Sequence, residues 1–190
     1  MADGQNIKVF GVSGSLRRGS YNSAALRAAR ELAPAGMEVE IYEGLRDIPP
    51  YDDDVRQERG YPAPVEDLRA RLKAADALLI VTPEYNYSMP GFLKNAIDWA
   101  SRPPDQPLNE KPVGIISASP GIFGGARAQY HLRQSLVFLN CFLVNKPEVM
   151  IGGAAQKFDA AGNLTDDTTK DFIRQLLQSL AALTRRLKPA

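Results

Sequence analysis

Residues able to bind or react collect in three short stretches: SGSLRRGSYN (Ser13 to Asn22), TPEYNYSMPG (Thr82 to Gly91) and SASPGIFGG (Ser117 to Gly125). The first offers hydroxyls at Ser13, Ser15 and Ser20, an amide at Asn22 and guanidinium groups at Arg17 and Arg18. Set before a helix whose first N–H groups are unpaired, such a loop is an anion cradle. The second holds Glu84, Tyr85, Asn86 and Tyr87 between Pro83 and Pro90. Aromatic faces beside amide and backbone donors suit a flat heteroaromatic ring with a polar edge.

Several chemistries are excluded by spelling. Gly11, Gly14 and Gly19 do not give the dinucleotide fingerprint, and Gly14 to Ser20 has P-loop glycine spacing with serine where the phosphate-binding lysine belongs. GVSGS is not a nucleophile elbow, and the single histidine, His131, lies on a predicted helix with no triad order around it; a surface position is expected for it. One histidine and one cysteine leave only carboxylates for a metal, and Asp52 to Asp54 fall in a charged stretch away from the three loops, so no metal site is expected. A ligand with one phosphate and a planar ring satisfies both halves: flavin mononucleotide, its ring beside Tyr85 or Tyr87, its polar edge met by Asn86 and backbone N–H groups, with Pro83 fixing the turn.

The elements that must position these loops alternate. IKVFGV is a short apolar strand, and NSAALRAARELA is a helix with Ala25, Leu26, Ala29 and Leu32 on one face, stopped by Pro34 and Gly36. MEVEIYE alternates as a second strand. From Gly44 to Pro64 the chain has no apolar period and reads as a long loop, either functional (a lid or subunit contact) or mobile. VEDLRARLKAAD is a helix, ALLIVT a buried strand, and GFLKNAIDWASR a helix that turns Phe92, Leu93, Ala96, Ile97, Trp99 and Ala100 inward. KPVGIISAS is a fourth strand and ARAQYHLRQSLVFLN a helix with Leu132, Leu136 and Leu139 inward. CFLVNKPEVMI is a fifth strand, or two pieces broken at Pro147. The last helix runs from about Thr165 to Leu187, with Ile173, Leu176, Leu177, Leu180 and Leu187 as its stripe.

Strands alternating with helices imply a parallel sheet covered on both faces, because each parallel return needs a crossover. The expectation is one α/β domain over 1–190, a flavodoxin-like, doubly wound, five-stranded parallel sheet of order 2-1-3-4-5 in three α/β/α layers. In that order the three polar loops meet on one rim, with the switch point between strands one and three.

Composition agrees with this class. With 44% apolar and 24% charged residues and a formal charge of +1, the chain gives no reason to expect nucleic acid as a partner. MADGQNIKVFG carries no basic segment followed by a long apolar one, and no apolar run approaches the ~18 residues of a membrane span. The single Cys141 suits a reducing compartment, and a cytoplasmic location is expected.

GSLRRGSYN, TPEYNYSMPGFLKNAIDWASR and KPVGIISASPGIFGGARAQYHLRQ together resemble the NADPH-dependent FMN reductase family, especially its bacterial quinone and chromate reductase branch. The resemblance runs nearly the whole chain, and the GSLR and PEYN pieces are specific in combination, neither alone. It implies bound FMN, NADH or NADPH as donor, a small-molecule acceptor, and homodimers or homotetramers. By motif it places Ser15, Arg17, Ser20 and Asn22 on the phosphate, with Leu16 contributing backbone. Pro83, Glu84, Tyr85, Asn86 and Tyr87 then meet the ring, with Ser119 and Ser117 on the third loop. No catalytic side chain is expected, since hydride chemistry is the cofactor's own.

Arg127, Tyr130 and Gln134 share one outer helical face, which is expected to join Glu148 in a subunit contact. Expected acceptors are quinones, azo and nitro compounds and free flavin, with chromate implied by the resemblance alone. The rival reading is a flavodoxin-type electron carrier that does not itself oxidise NAD(P)H. Such carriers are strongly acidic for partner docking, whereas this chain is nearly neutral.

Overall fold

Three apolar segments can be buried on both faces only in the middle of a helix-covered sheet, and that is where they lie. A computed structural model describes residues 6–188; Met1 to Gln5 and Pro189 to Ala190, the ends of the expected 1–190 unit, lie outside the described residues. β1 (Ile7–Ser13), β3 (Ala77–Thr82) and β4 (Pro112–Ala118) are central, and β2 (Met37–Tyr42) lies at the edge beside β1. The order is β2-β1-β3-β4-β5 with parallel pairing throughout, the doubly wound arrangement expected. Of the two forms left open for the fifth strand, the broken one is found. β5 (Phe142–Leu143) pairs with Pro112 and Val113, and β6 (Val149–Ile151) with Ile116 to Ala118. Pro147 between them has no N–H to continue the ladder.

Side-chain alternation along the central strands builds one core on each face. Ile7, Val9, Leu79, Val81 and Ile116 point toward α1 (Tyr21–Glu31) and α6 (Asp167–Leu187). Phe10, Val12, Leu78, Ile80 and Ile115 point toward α3 (Ala63–Ala74), α4 (Gly91–Ala100) and α5 (Ala126–Phe138). The stripe of α6 is as expected at Ile173, Leu176, Leu177 and Leu180, but Leu187 is exposed at the last helical residue, past the end of the sheet's cover. No helix among the described residues is long and apolar enough to cross a membrane.

The segment 44–64 is not a bare loop. A 3-10 turn at Gly44–Asp47 is followed by α2 (Asp53–Arg59), and α3 already begins at Ala63. The apolar pattern could not reveal α2 because it buries no residue; local polar bonds hold it. Asp52 caps it by accepting the Asp54 N–H at 3.0 Å. Asp53 accepts bonds from Arg56, Tyr51 and Gln57, which hold its carboxyl well below the usual carboxylate range. The segment is strapped across α4: Asn95 Nδ2 and Trp99 Nε1 each donate to the Pro49 carbonyl at 2.8 Å, and Tyr51 meets the Trp99 ring edge-on at 4.9 Å. Trp99 is fully buried, as expected for a core residue.

Two predictions follow from these contacts. Trp99→Phe removes both the N–H from Pro49 and part of a fully buried ring, and should cost roughly 2–4 kcal/mol in urea denaturation; an unchanged midpoint would show that neither the bond nor that packing holds the strap. Asp166 caps α6 through the Thr169 N–H at 2.8 Å, and Thr169 and Lys157 hold its carboxyl below the ordinary range. A depressed folded value stabilises fully above the unfolded one, about 4, and the gain is lost as pH falls through the folded value. The stability gap between the protein and Asp166→Asn should therefore be widest near neutrality and close in acid, measured by chemical denaturation at pH 7 and pH 3.

Candidate ligand site at the carboxyl ends of the strands

β1, β3 and β4 end side by side, so the loops leaving them share one rim. The first loop is drawn tightly onto β3. The Gly14 N–H donates to the Val81 carbonyl at 2.8 Å, and a Cβ on Gly14 would sit 2.9 Å from both Thr82 Oγ1 and Leu93 Cδ2. Only glycine permits that approach. Ser20 caps α1, its Oγ accepting the Asn22 and Ser23 N–H groups at 3.2 Å, which leaves its own proton free to donate outward. Ser15 is buried, Leu16 half-buried, and Arg17 and Arg18 are exposed. With no acidic residue in the first turn of α1, the loop presents hydroxyls, N–H groups and positive charge.

Asn22 departs from its expected role. Its Nδ2 donates to the Ala118 carbonyl at 3.0 Å and its Oδ1 accepts the Ala118 N–H at 2.9 Å. Both polar atoms are spent clasping the end of β4, so the side chain ties the first loop to the third rather than facing an anion.

The second loop is a reversal closed by Tyr85 and Ser88, whose backbone groups exchange bonds at 2.9 and 3.0 Å. Asn86 (φ 50°) and Tyr87 (φ 68°) at its tip both adopt positive φ, the backbone of a type I′ turn. Asparagine tolerates this region; for tyrosine it is a strained exception. Tyr87 is held by the Arg127 guanidinium, 3.9 Å from its ring centroid and 4.8 Å from that of Phe123. Glu84 fixes Arg127 in turn: Oε1 accepts Arg127 Nε at 2.6 Å, while Oε2 accepts the Arg127 and Ala128 N–H groups at 3.1 and 3.3 Å. The carboxylate thus caps α5 at its positive end. The Glu84 side chain is therefore committed to α5, leaving its backbone to the rim, and Arg127 is drawn inward from the outer face expected for it. Pro83 is buried, its carbonyl accepting the Thr82 hydroxyl at 3.0 Å, and Tyr85 stands partly exposed, edge-on to Phe92.

On the third loop the two serines part company. Ser119 is half-buried at the rim and accepts the Gly121 N–H at 3.2 Å. Ser117 is fully enclosed, donating to the Gly124 carbonyl at 2.6 Å and accepting from Gln129 Nε2 at 2.9 Å, so it braces the loop from below and does not reach the rim. Sequence reasoning missed Gln129, although its spacing of three and seven from Leu132 and Leu136 marks it as inward-facing. It also missed Ile122 and Phe123, which stand 86% and 60% exposed on the same loop. His131 is exposed on α5, as expected, with Nδ1 3.1 Å from Ser88 Oγ. Tyr130, outward as expected, reaches Glu148 at 3.2 Å.

The rim therefore sorts into two groups. Ser15, Leu16, Arg17 and Ser20 face it from the first loop, Tyr85, Asn86 and Tyr87 from the second, and Ser119 from the third; Asn22, Glu84 and Ser117 stand behind as struts. The arrangement can hold an anion at the start of α1 and a flat ring against the next two loops.

Comparison with known proteins finds the same pieces in one family. The profile of the NADPH-dependent FMN reductases matches residues 7–156. An NAD(P)H-dependent FMN reductase of Pseudomonas aeruginosa is 58% identical over 183 residues, covering 96% of this chain and 98% of its own. A quinone reductase of Escherichia coli K12 is 50% identical over 185 residues, with 97% and 98% covered. Among solved structures, the flavoenzyme NAD(P)H:(acceptor) oxidoreductase FerB of Paracoccus denitrificans superposes with a TM-score of 0.85 at 34% identity, covering 95% of this chain and 98% of that one.

The Asn22 clasp predicts its own cost. Asn22→Ala leaves a buried N–H and a buried carbonyl without partners, and should lower unfolding stability by roughly 2–4 kcal/mol. Asn22→Asp would set a buried carboxylate oxygen against the Ala118 carbonyl, and at neutral pH should cost at least as much as the alanine variant. Equal denaturation midpoints for all three proteins would remove the clasp from this account.

Proposed function

The chain belongs to the NADPH-dependent FMN reductase family, and we propose that it oxidises NADH or NADPH and delivers the electrons to quinones and related flat, electron-poor acceptors. The observation that carries this reading is the meeting of the anion-cradling loop of β1 with the Tyr85–Ser88 reversal of β3 across the sheet's switch point. FMN fits that donor set. Its single phosphate suits Ser15, the Leu16 backbone, Arg17 and Ser20, where no carboxylate competes within the loop or the first turn of α1. Its ring suits Pro83 to Tyr87 and Ser119, the Glu84 contribution being backbone, since its carboxylate is committed to α5.

Bound there, FMN would supply the hydride-accepting ring; the protein contributes binding, orientation and electrostatics. Tyr87, braced by Arg127, walls the ring side, while Asn22 ties the first loop to the end of β4 and Ser117 braces the third loop from below. Donor and acceptor use this one open wall in turn. A carrier role is disfavoured by the formal charge of +1. The reading extends to chromate as an acceptor, to a homodimer or homotetramer joined in part through Tyr130, Gln134 and Glu148, and to the cytoplasm. The last is supported by the single cysteine, Cys141, which suits a reducing compartment.

The test is anaerobic mixing of the yellow protein with NADPH, where the flavin band should bleach and return on adding a quinone. Initial rates at varied donor and quinone should give parallel double-reciprocal lines. A protein that takes up no FMN would sink the reading, bleaching absent with either donor would favour the carrier, and intersecting lines would reject alternate use of one wall.

A further inference from the structure

The strap over α4 reaches the ligand site at its other end. Its 3-10 turn, Gly44–Asp47, is seated by Leu45 and the following Ile48, both buried in the core on the α3 and α4 side of the sheet. Beyond them the chain is pinned to α4 through the Pro49 carbonyl and through Tyr51, whose N–H donates to Asn95 Oδ1 at 2.7 Å. From this anchored turn Arg46 Nη2 donates to the Leu16 carbonyl at 2.7 Å, a charge-assisted bond between segments 30 positions apart. Among the described residues, no other hydrogen bond from outside the first loop reaches Leu16, Arg17, Arg18 or Gly19.

That bond fixes the direction of one peptide unit. The Leu16–Arg17 peptide is trans, so its carbonyl and its N–H point opposite ways. With the carbonyl drawn outward to Arg46, the Arg17 N–H turns back toward Ser15, whose Oγ lies 3.5 Å away, too far for a good bond. The donor is unspent, and it stands beside a hydroxyl proposed to meet the flavin phosphate. Turned the other way, the same unit would aim a carbonyl oxygen at an anion. We infer that Arg46 is a positioning residue: it holds the Leu16–Arg17 peptide so that the N–H, not the carbonyl, faces the phosphate of FMN. The inference rests on the reductase reading above. Arg46 is more than one further positive charge, because Arg17, Arg18, Arg27 and Arg30 line the same side of the loop and the field there depends little on any one of them. What distinguishes it is the bond to the backbone.

Arg46→Met keeps the apolar stem and removes the donor. The measurement is fluorescence titration of the flavin-free protein with FMN and with riboflavin, which has the same ring and no phosphate. The Kd for FMN should rise at least about tenfold, the scale of one lost hydrogen bond to a charged group, while the Kd for riboflavin stays within about twofold. Salt screens a charge but leaves the direction of a peptide unchanged, so the FMN ratio between variant and unaltered protein should persist in about 0.5 M salt. A second readout needs no ligand. In flavin-free, isotope-labelled protein the Arg17 amide signal should move in Arg46→Met while those of Tyr85 to Ser88 hold, which also shows that the variant is folded. An unmoved Arg17 signal, an unchanged FMN Kd, equal losses for FMN and riboflavin, or a loss that disappears in salt would each overturn the inference and leave the reductase reading in place. No uptake of FMN by the unaltered protein would sink that reading and the positioning role with it.

Discussion

A parallel pair of strands can be joined only by a crossover, and the whole molecule follows from that constraint. Each crossover returns the chain to the same end of the sheet, so β1, β3 and β4 finish side by side and their loops have nowhere to go but one rim. Helices must then cover both faces, which is why the central strands are apolar on both sides and why the polar residues of those segments crowd into the loops. The concentration of chemistry at TPEYNYSMPG is a by-product of topology before it is a feature of function.

Crowding polar groups beside a dry core creates a second constraint, since every buried one needs a partner. Asn22, Glu84 and Ser117 meet it by bonding to backbone: Ala118, the first turn of α5 and Gly124. Asn22 and Glu84 tie together segments that come from different strands, and Ser117 braces its own loop, so the rim is held from beneath. The Glu84 carboxylate does two things at once, capping α5 and pinning Arg127 against Tyr87. A tyrosine at φ 68° needs such support, because the turn would otherwise favour glycine or asparagine there.

This division marks where the sequence was legible. Periodicity located the central strands and the core helices because burial writes an apolar pattern, and the broken fifth strand was signalled by Pro147. It could not locate α2, which buries nothing and is held by the local carboxylate bonds of Asp52 and Asp53. At the site, residue type showed which loops mattered but not which way a side chain turned. Sequence alone assigns Asn22 and Ser117 to the ligand, because an amide and a hydroxyl look alike whether they face a ligand or a neighbouring strand. For Asn22 the distinction lies in a contact 96 positions away, which no local spacing encodes. Ser117 differed in one respect: as the penultimate residue of β4 it could be suspected of sitting too deep, and Gln129 beneath it lay on a visible leucine stripe.

The wall that remains open has a consequence for selectivity. A site rejects a wrong ligand strongly when its own buried donors and acceptors would be left unpaired, and weakly when it offers apolar or aromatic surface. Here Asn22, Glu84 and Ser117 behind the rim are already bonded within the protein, while the large side chains that face outward on the second and third loops are Tyr85, Tyr87 at 66% exposure, Ile122 and Phe123. Such surface accepts a flat ring by area and shape and makes few demands on its substituents. In the proposed enzyme, discrimination among acceptors therefore falls to their electron affinity and planarity, because the aromatic wall sets shape and area but leaves few polar groups to be matched.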